Sequence, residues 1–395
     1  MKAVILAAWK WERLMPLTQT KPKPMVKVFG KPILEHVLES VEPFVDEITI
    51  VVKYYKETII EEVWDRFRWK PINYVVQWEE KGTAAALRNV NLEGDLLILN
   101  GDTIYDPQDI KNLVENSKYG ILAKEVETPS LYGVFEIDDQ GVIKSVIEKS
   151  PNPPSNLANI GAYKLPSEIL RLAREVPVSP RWEYELTDAL NKLFPLYEIK
   201  AIPLSWEFLD IGYPWHILRA NAHFFAKYKP GIYWKGKIEE GAQINPQSVV
   251  ILSPGSIIKK GTTVDGNLFL WENAIVGPNA FIRGNVVVGA NSFVGFSVEA
   301  KNIAVGENSK IPHLSYVGDS IIGDEVNIGG GTLVANLRHD GANVLYLAKG
   351  KLVDTGLRKF GCVIGDGAKL GIWTKIYPWR QIQARQTTLP WEIVR

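Results

Sequence analysis

IKKGTTVDGNLFLWENAIVGPNAFIRGNVVVGANSFVG, residues 258–295, is the stretch that decides the fold of the second half of this chain. An aliphatic residue recurs in it at every sixth position, and the same spacing returns later. This period is typical of a parallel β-helix, in which short strands stack coil on coil and each buries one aliphatic side chain per face. The repeated positions are Ile258, Val264, Leu270, Val276, Ile282, Val288 and Val294, then Ile364, Leu370, Ile376 and Ile382.

Glycines lie at the corners of the predicted coils, and charged residues lie where the six-residue pattern is interrupted. Gly277, Gly289, Gly295, Gly365 and Gly371 follow repeated positions, where a side chain would crowd a corner. The period pauses between about residues 336 and 361, where charged residues cluster. We therefore expect a loop to leave the coil there.

The first half alternates short apolar runs with amphipathic stretches, which predicts a mostly parallel, doubly wound sheet in an α/β fold. In such sheets ligands bind beyond the carboxyl ends of the strands, so the segments after Ala8 and Leu99 are the places to search. The predicted strands are Ala3–Ala8, Glu47–Val52, Ile72–Val76 and Leu96–Leu99, and the predicted helices are Pro32–Val41, Tyr55–Phe67 and Pro214–Tyr228.

Length and composition limit the class of protein. A chain of 395 residues predicts two domains or three, and we place them at 1–228 and 229–395. Forty-five basic and forty-five acidic residues cancel, so no net field favours nucleic acid or an anionic membrane as partner. The apolar run Ala3–Ala8 is too short for a signal or a membrane span. A single cysteine, Cys362, favours a reducing compartment, and we expect the cytoplasm.

The first half resembles a known family through LAAWKWERLMPLT (6–18), TKPKPM (20–25), LLILNGD (96–102) and FLDIGYPW (208–215). It is similar to the sugar-1-phosphate nucleotidylyltransferases. The resemblance implies that Arg13 and Lys23 are catalytic and that, with Lys21, they orient a nucleoside triphosphate and neutralise its charge. It also implies that Asp102 and Asp210 bind Mg²⁺, which suits hard oxygen ligands and bridging phosphates.

The same resemblance implies the binding residues for nucleotide and sugar. Gly82 would allow close approach of the nucleobase, and the helix that begins there would offer free N–H groups. The implied nucleotide-binding residues are Leu6, Ala8, Gln77, Gly82 and Thr83, and the implied sugar-binding residues of this half are Gly133, Glu148 and Asn159.

The chain differs from this family at several positions that are occupied by tryptophan. Trp9 and Trp11 stand in a loop where the family carries glycine, because backbone N–H groups there must approach phosphate closely. We expect an indole there to obstruct the phosphate cradle. Trp78 and Trp182 stand beside the base-reading and sugar-reading segments.

The second half resembles a second known family. The resemblance lies in SKIPHLSYVGDSIIGDEVNIGGGTLVANLRHDG, residues 309–341. It is similar to the acetyltransferase half of the bifunctional N-acetylglucosamine-1-phosphate uridylyltransferase/glucosamine-1-phosphate acetyltransferases. The resemblance implies a left-handed β-helix, a homotrimer, acetyl-CoA as co-substrate and His313 as the general base. It implies that Arg283, Lys301, Tyr316, Asn327 and Asn336 bind the sugar, its phosphate and its amine.

Two further features of the second half bear on acetyl-CoA. The loop from Leu337 to Phe360 carries enough positive charge to hold phosphate or the CoA tail, although a solvated loop explains it nearly as well. The indoles of Trp373, Trp379 and Trp391 lie on later coils, where we expect those near the CoA site to narrow a pantetheine channel.

The interpretation we favour is a bifunctional enzyme. It would transfer acetyl from acetyl-CoA to an amino-sugar 1-phosphate, and a nucleotidylyl group from UTP or dTTP to a sugar 1-phosphate with release of pyrophosphate. Two alternatives stay open at this stage. One is a nucleotidylyltransferase alone, with the β-helix as an assembly module, as in relatives of glucose-1-phosphate thymidylyltransferase. The other is a non-catalytic or engineered scaffold whose sites are filled by tryptophan.

Overall fold

The computed structural model describes residues 1–8, 12–78, 81–205, 208–234 and 236–395. Its contacts divide the chain into two units, Met1–Lys10 with Ile33–Asp210, and Trp11–Pro32 with Ile211–Arg395. The predicted boundary between residues 228 and 229 stays a prediction. The contacts group residues 12–32 with the second unit, although they follow the first strand in the chain.

The elements up to residue 210 alternate as the sequence pattern predicts. The strands are β1 (Lys2–Leu6), β2 (Lys27–Val28), β3 (Lys31–Pro32), β4 (Glu47–Val52), β5 (Arg66–Phe67), β6 (Lys70–Val76), β7 (Asp95–Asn100), β8 (Thr103–Ile104), β9 (Gly120–Glu125), β10 (Gly133–Ile137), β11 (Ile143–Glu148), β12 (Leu157–Pro166), β13 (Lys200–Pro203) and β14 (Leu209–Asp210). The helices are α1 (Ile33–Val41), α2 (Lys56–Val63), α3 (Thr83–Leu87), α4 (Pro107–Glu115), α5 (Glu168–Arg174) and α6 (Leu186–Leu193), with 3-10 turns at Lys23–Met25, Glu42–Phe44 and Pro129–Leu131.

A mixed sheet forms the centre of the first unit. Its main strand order is β11-β10-β12-β7-β1-β4-β6-β5, with β9 on β12 and β13 on β9. Strands β7, β1, β4 and β6 are parallel, and β12 joins β7 antiparallel. The carboxyl ends of β1 and β7 therefore meet at one edge, where Leu6 pairs with Asn100. The predicted mixed α/β sheet is confirmed.

One predicted helix ends early. The sequence pattern predicts a helix over residues 55–67, but α2 ends at Val63 because Trp64 leaves the helical conformation, with φ 61° and ψ −156°. Such angles are essentially reserved for glycine.

The elements of the second half are short and stacked. The strands are β15 (Gly231–Trp234), β16 (Lys237–Ile238), β17 (Gln243–Ile244), β18 (Val249–Leu252), β19 (Ile257–Ile258), β20 (Thr263–Leu270), β21 (Ile275–Val276), β22 (Phe281–Val288), β23 (Phe293–Phe296), β24 (Glu299–Val305), β25 (Lys310–His313), β26 (Tyr316–Gly318), β27 (Ile321–Ile322), β28 (Asn327–Ile328), β29 (Leu333–Val334), β30 (Leu345–Ala348), β31 (Lys351–Asp354), β32 (Cys362–Ile364), β33 (Lys369–Leu370), β34 (Lys375–Ile376), β35 (Arg380–Ile382) and β36 (Ile393–Val394). They are preceded by helix α7 (Trp215–Ala226).

Parallel pairing from coil to coil makes these strands a β-helix. Ile258 pairs with Val276, and Val276 pairs with Val294, so equivalent positions of successive coils lie in register. Every aliphatic residue of the predicted six-residue series is buried in the core of this unit. The hexapeptide interpretation is confirmed, and the stacking is consistent with a left-handed β-helix.

The predicted interruption contains an antiparallel hairpin. Strands β30 and β31 pair from Leu345 with Asp354 to Ala348 with Lys351, between coil strands β29 and β32. Helix α7, predicted from its spacing, packs against β22 and β24 of the β-helix. Within the described residues, the helices are all too short or too polar to cross a membrane.

Candidate functional site

Two carboxylates meet at the end of β7. Asp102 follows this buried strand, is 5% exposed, and accepts a hydrogen bond from the Thr103 hydroxyl at 3.4 Å. Asp210 ends β14, which pairs antiparallel with β8 so that Asp210 lies opposite Thr103. The topology therefore brings together the two residues for which the sequence implies a metal.

The donor set fits Mg²⁺. In the described part of the chain, no cluster of three or more His, Cys, Asp or Glu side chains is arranged to hold a metal ion. Mg²⁺ characteristically takes one or two carboxylates and completes its octahedron with substrate phosphates and water. Asp102 and Asp210 supply such a pair.

The segment implied for the nucleobase is fastened to residues 184–186. Gly82 has φ +113°, and a Cβ there would lie 2.2 Å from the Tyr184 carbonyl oxygen. The Thr83 hydroxyl accepts a hydrogen bond from the Leu186 N–H at 3.0 Å. The Ala84 N–H donates to the Tyr184 carbonyl at 3.0 Å. The expectation of freely available N–H groups at this helix start is therefore wrong for Ala84.

The other implied nucleotide residues lie at strand ends. Leu6 and Ala8 are buried at the carboxyl end of β1, and the Leu6 carbonyl accepts a hydrogen bond from the Gly101 N–H at 2.8 Å. Gln77 follows β6, is buried, and donates its backbone N–H to the Val52 carbonyl at 2.9 Å. These residues lie beyond neighbouring parallel strands, as the fold class predicts.

Gly133 and Glu148 lie opposite each other on paired strands. They are Cα partners of β10 and β11, and a Cβ on residue 133 would lie 2.6 Å from a Glu148 carboxylate oxygen. Glycine therefore leaves room for the carboxylate. Burial raises the pKa of the Glu148 carboxyl, while Lys149 opposes that rise.

Asn159 is held in a fixed orientation on β12. Its Nδ2 donates to the Tyr163 hydroxyl at 3.0 Å, and its Oδ1 accepts from the Gly161 N–H at 3.0 Å. Tyr163 is buried, and burial raises the pKa of its phenol. Sequence reasoning missed Tyr163, since a tyrosine at alternating strand spacing is no different from a core residue.

The three implied phosphate-binding cations have different surroundings in the second unit. The exposed Arg13 guanidinium lies 5.6 Å from the centre of the Tyr213 ring, and Lys23 is fully buried. Lys21 forms ion pairs with Asp324 and Asp366. These pairs engage the Lys21 ammonium within the second unit, and its implied role toward triphosphate stays a prediction.

His313 lies at the end of β25, in register with Phe296 of the preceding coil. Its ring is exposed, and its carbonyl accepts the Ser315 hydroxyl at 2.7 Å. Gly330, on the following coil, lies beside this residue, and a Cβ there would make an ordinary contact of 3.4 Å with the Cβ of His313.

A polar cluster surrounds Asp319 beside this histidine strand. The Lys301 ammonium lies 2.7 Å from the carboxylate of Asp319. Asp319 is buried, with 4% of the residue exposed. The Asn336 amide donates to Asp319 at 2.5 Å and to the Tyr316 hydroxyl at 3.0 Å. Burial first, and Asp319 second, raise the pKa of Tyr316.

Arg283 joins the same face through Glu299. Its guanidinium contacts the Glu299 carboxylate at 2.5 and 2.8 Å, and it is the register partner of Lys301 on the next coil. The structure thus brings together Arg283, Lys301, Tyr316 and Asn336. Asn327 is exposed on a different ladder, where it pairs with Lys310 of the histidine strand.

Sequence reasoning missed the two carboxylates that hold this cluster, Glu299 and Asp319. Neither carboxylate is the register partner of the cation that it holds, because Lys301 is in register with Gly318 and Arg283 with Lys301.

Some side chains of the interrupting loop, and the tryptophans of the last coils, contact other residues of the second unit. Arg338 pairs with Asp340 at 2.5 Å, which accounts for part of the loop's charge. The rings of Trp373 and Trp391 stack at 5.3 Å, and the Arg380 guanidinium lies 3.5 Å from the centre of the Trp379 ring.

The tryptophans that the sequence singles out can be compared by backbone angle. Trp182, Trp373, Trp379 and Trp391 all have positive φ, between 60° and 67°, where glycine is ordinarily found. Trp78 and Trp182 are largely exposed. Trp9 and Trp11 lie outside the described residues.

A mixed α/β sheet with paired carboxylates at a strand end, joined in one chain to a hexapeptide β-helix, defines a nucleotidyltransferase with an acyltransferase-type second domain. The family model for nucleotidyl transferases matches residues 2–226. A second model, the C-terminal domain of GMPPB, matches residues 264–371. The chain belongs to the nucleotidyl transferase family.

Full-length relatives share both halves. "Bifunctional protein GlmU" of Methanocaldococcus jannaschii is 42% identical over 96% of this chain and 91% of its own length. "Bifunctional sugar-1-phosphate nucleotidylyltransferase/acetyltransferase" of Sulfurisphaera tokodaii is 36% identical over 100% of this chain and 97% of its own.

A solved structure supports the fold of the first half. The crystal structure of UDP-glucose pyrophosphorylase complexed with UDP-glucose covers 57% of this chain and 99% of its own, with a TM-score of 0.52 and 23% identity. At 23% identity, this similarity is evidence for the fold alone.

Proposed function

We propose that this chain is a bifunctional enzyme that acetylates an amino-sugar 1-phosphate and transfers a nucleotidylyl group to a sugar 1-phosphate. The observation that carries the proposal is the similarity, over nearly the whole length of both chains, to relatives named for two such activities. A nucleotidylyltransferase without the second activity is not better supported, because those relatives span the β-helix as well.

In the first reaction, a nucleoside triphosphate, UTP or dTTP, and a sugar 1-phosphate are the substrates. An oxygen of the sugar phosphate attacks the α-phosphorus in line, a new P–O bond forms, and the bond to the β-phosphate breaks to release pyrophosphate. Arg13 and Lys23 neutralise charge that develops on the phosphates. Asp102 and Asp210 would hold Mg²⁺, which would supply positive charge against the negative charge of the reacting phosphates.

The residues proposed to contact the sugar and the base lie in the first unit. The Glu148 carboxylate and the Asn159 amide present acceptors and donors to sugar hydroxyls, and Gly133 leaves room for the carboxylate. Leu6, Ala8, Gln77, Gly82 and Thr83 form the nucleotide side.

In the second reaction, the amine of the sugar phosphate attacks the thioester carbon of acetyl-CoA. A C–N bond forms, the C–S bond breaks, and CoA leaves as the thiol. His313 takes the proton from the attacking amine. Arg283 and Lys301 attract the sugar phosphate, Tyr316 and Asn336 contact its hydroxyls, and Asn327 lies on the strand beside that of the base.

We further propose a cytoplasmic homotrimer. The exposed side chains along one edge of the β-helix next to His313 are largely apolar, and three copies of such an edge can close a ring. These side chains are Phe296, Leu314, Ile372, Trp373, Leu389 and Trp391. Light scattering is expected to give a mass near three times 44.3 kDa, and a monomer would contradict the trimer.

Two assays on one preparation test the activities. Pyrophosphate release is measured with UTP or dTTP and a panel of sugar 1-phosphates, and thiol release is measured with acetyl-CoA and a panel of amino-sugar 1-phosphates. Both products are expected. Pyrophosphate without thiol would favour the narrower enzyme, and neither product with any substrate would favour the scaffold.

A further inference from the structure

The segment of residues 12–32, here called the anchored segment, lies on the β-helix. It carries Arg13 and Lys23, yet its contacts group it with residues 211–395. A segment proposed to serve nucleotidylyl transfer thus belongs structurally to the unit that carries the acetyltransferase residues.

The strongest attachment is ionic. The Lys21 ammonium pairs with Asp324, and lies 3.0 Å from a carboxylate oxygen of Asp366. The Thr20 hydroxyl donates to the same Asp366 oxygen. The two carboxylates lie on successive coils, and the second Asp366 oxygen accepts the Asp324 N–H at 2.9 Å. Both sides of this attachment are therefore fixed by hydrogen bonds.

Because these ion pairs are largely buried, losing one partner costs more stability than it would for a pair on the surface. The Lys21, Asp324 and Asp366 side chains are 16%, 23% and 13% exposed, and removing one partner of such a pair leaves a charge uncompensated. Burial alone would lower the pKa of Lys21, but Asp324 and Asp366 outweigh it and raise that pKa. Against the opposing effect of burial, Lys21 and then Lys27 lower the pKa of Asp324. Lys21 and Asp324 are therefore both charged at neutral pH.

Further contacts hold the segment on either side of Lys21. The buried Tyr346 of the interrupting hairpin donates its hydroxyl to the Met15 carbonyl at 2.6 Å. At the other end, the Phe29 N–H donates to Asn221 of α7 at 2.7 Å, and the Phe29 ring packs 4.9 Å from that of Phe269. Lys27 pairs with Glu307 at 2.5 Å.

These contacts lie close in sequence to the two proposed catalytic cations. Lys23 lies between Lys21 and Phe29, and Arg13 lies two residues before Met15. Since charged groups stabilise a phosphoryl transition state only in a defined position, an error of about 1 Å can cost on the order of 10²-fold in rate. The attachment of the segment is thus placed to determine how well Arg13 and Lys23 act.

We infer that Asp324 and Asp366 are positioning residues for nucleotidylyl transfer, which they serve by holding Lys21 and thereby the segment that carries Arg13 and Lys23. The inference rests on the proposed nucleotidylyl activity. It makes the β-helix a working part of that reaction in addition to acetyl transfer.

The test replaces both carboxylates by the isosteric amide, Asp324→Asn with Asp366→Asn, in the full chain. Pyrophosphate release, thiol release and hydrogen exchange of the amides of residues 12–32 are measured on the same preparation. We expect the KM for triphosphate to rise about tenfold or more, which is about 1.4 kcal/mol, with faster exchange confined to the anchored segment. Thiol release is expected to stay at the level of the unchanged chain, which shows that the β-helix is folded.

Two further variants separate positioning from general damage. Lys21→Met is expected to raise the same KM, and adding it to the double variant is expected to have no further effect, because the carboxylates act through Lys21. Asp265→Asn, which removes a carboxylate that accepts from Asn245 on an early coil, is the matched control and should change neither activity.

The outcomes distinguish this inference from the proposed function. An unchanged KM and kcat in the double variant, or equal loss of both activities, would overturn the positioning role. If the unchanged chain releases no pyrophosphate, the nucleotidylyl activity fails, and UTP binding measured by calorimetry then decides the inference. Weaker binding in the double variant supports it, whereas equal binding, or none in either chain, overturns it.

Discussion

Asp210 lies directly opposite Thr103 in a two-stranded antiparallel ladder, one residue from Asp102. This pairing joins the end of the first unit's chain to the turn after its central strand β7. Two carboxylates from distant parts of the sequence thereby share one strand end, without any third acidic or histidine ligand grouped with them in the described residues.

The first prediction concerns this pair. Asp102→Asn and Asp210→Asn are each expected to lower kcat for pyrophosphate release by about 10²-fold or more, because each change removes one of the two carboxylates proposed to bind Mg²⁺. The apparent affinity for Mg²⁺, measured by titrating the assay, should fall in both variants. Asp139→Asn, an exposed carboxylate of the same unit, is the control. A variant of Asp102 or Asp210 with full activity at low Mg²⁺ would contradict the assignment.

The second prediction concerns the proposed base. His313→Ala is expected to abolish thiol release from acetyl-CoA, since the attacking amine then has no imidazole to take its proton. Pyrophosphate release should be unchanged. His339→Ala removes another exposed histidine of the same unit, in the loop that interrupts the coil, and should leave both activities intact. Full acetyl transfer in His313→Ala would refute its role.

The β-helix could be predicted from sequence because each coil buries one aliphatic residue per face, and that requirement repeats along the chain. The metal pair could be proposed only through resemblance, since neither carboxylate has a local pattern that reports the other. The coil period could not pair Asp319 with Lys301 or Glu299 with Arg283, since Lys301 is in register with Gly318 and Arg283 with Lys301. The partners of Lys21 could not be predicted either, since Asp324 lies 303 positions away and an ion pair between distant segments leaves no periodic trace.

The third prediction concerns the first loop, whose Trp9 and Trp11 lie outside the described residues. Backbone N–H groups that bind phosphate require close approach, which an indole obstructs. The double change Trp9→Gly with Trp11→Gly is expected to raise triphosphate affinity or nucleotidylyl turnover about tenfold or more, equivalent to about 1.4 kcal/mol. Acetyl transfer should not change. If the double variant turns over triphosphate no faster and binds it no more tightly, the loop tolerates the indoles.

The fourth prediction concerns pH and the Lys21 ion pairs. The pKa of Asp324 is lower in the folded chain, so its contribution to stability is present above the unfolded pKa of about 3.8 and is lost as pH falls through the folded value. The pKa of Lys21 is raised, so its contribution is present below about 10.5 and is lost as pH rises through the folded value. Between those limits the contribution is constant.

Asp324→Asn should therefore be less stable than the unchanged chain by a constant amount from about pH 5 to pH 9, as measured by urea unfolding. That difference should shrink as pH falls below about 4. The neighbouring charges Asp366, Lys27 and Glu307 remain in both chains and act as a common background. A difference that persists undiminished at the lowest pH would contradict an ionic origin.

The fifth prediction concerns the backbone at Trp64. Its φ of 61° and ψ of −156° cost a residue with a side chain about 1–3 kcal/mol, while its ring is 71% exposed and loses little packing on removal. Glycine at this position adds about 0.4–1 kcal/mol of freedom to the unfolded chain, so Trp64→Gly is expected to stabilise the first unit by about 1 kcal/mol. The matched control is Trp69, because it is 85% exposed and its φ is not positive. Because Trp69→Gly relieves no such cost, it should lower stability by about 0.4–1 kcal/mol. The midpoint of urea unfolding measures both changes, and equal shifts in the two variants would show that backbone conformation at Trp64 is not the cause.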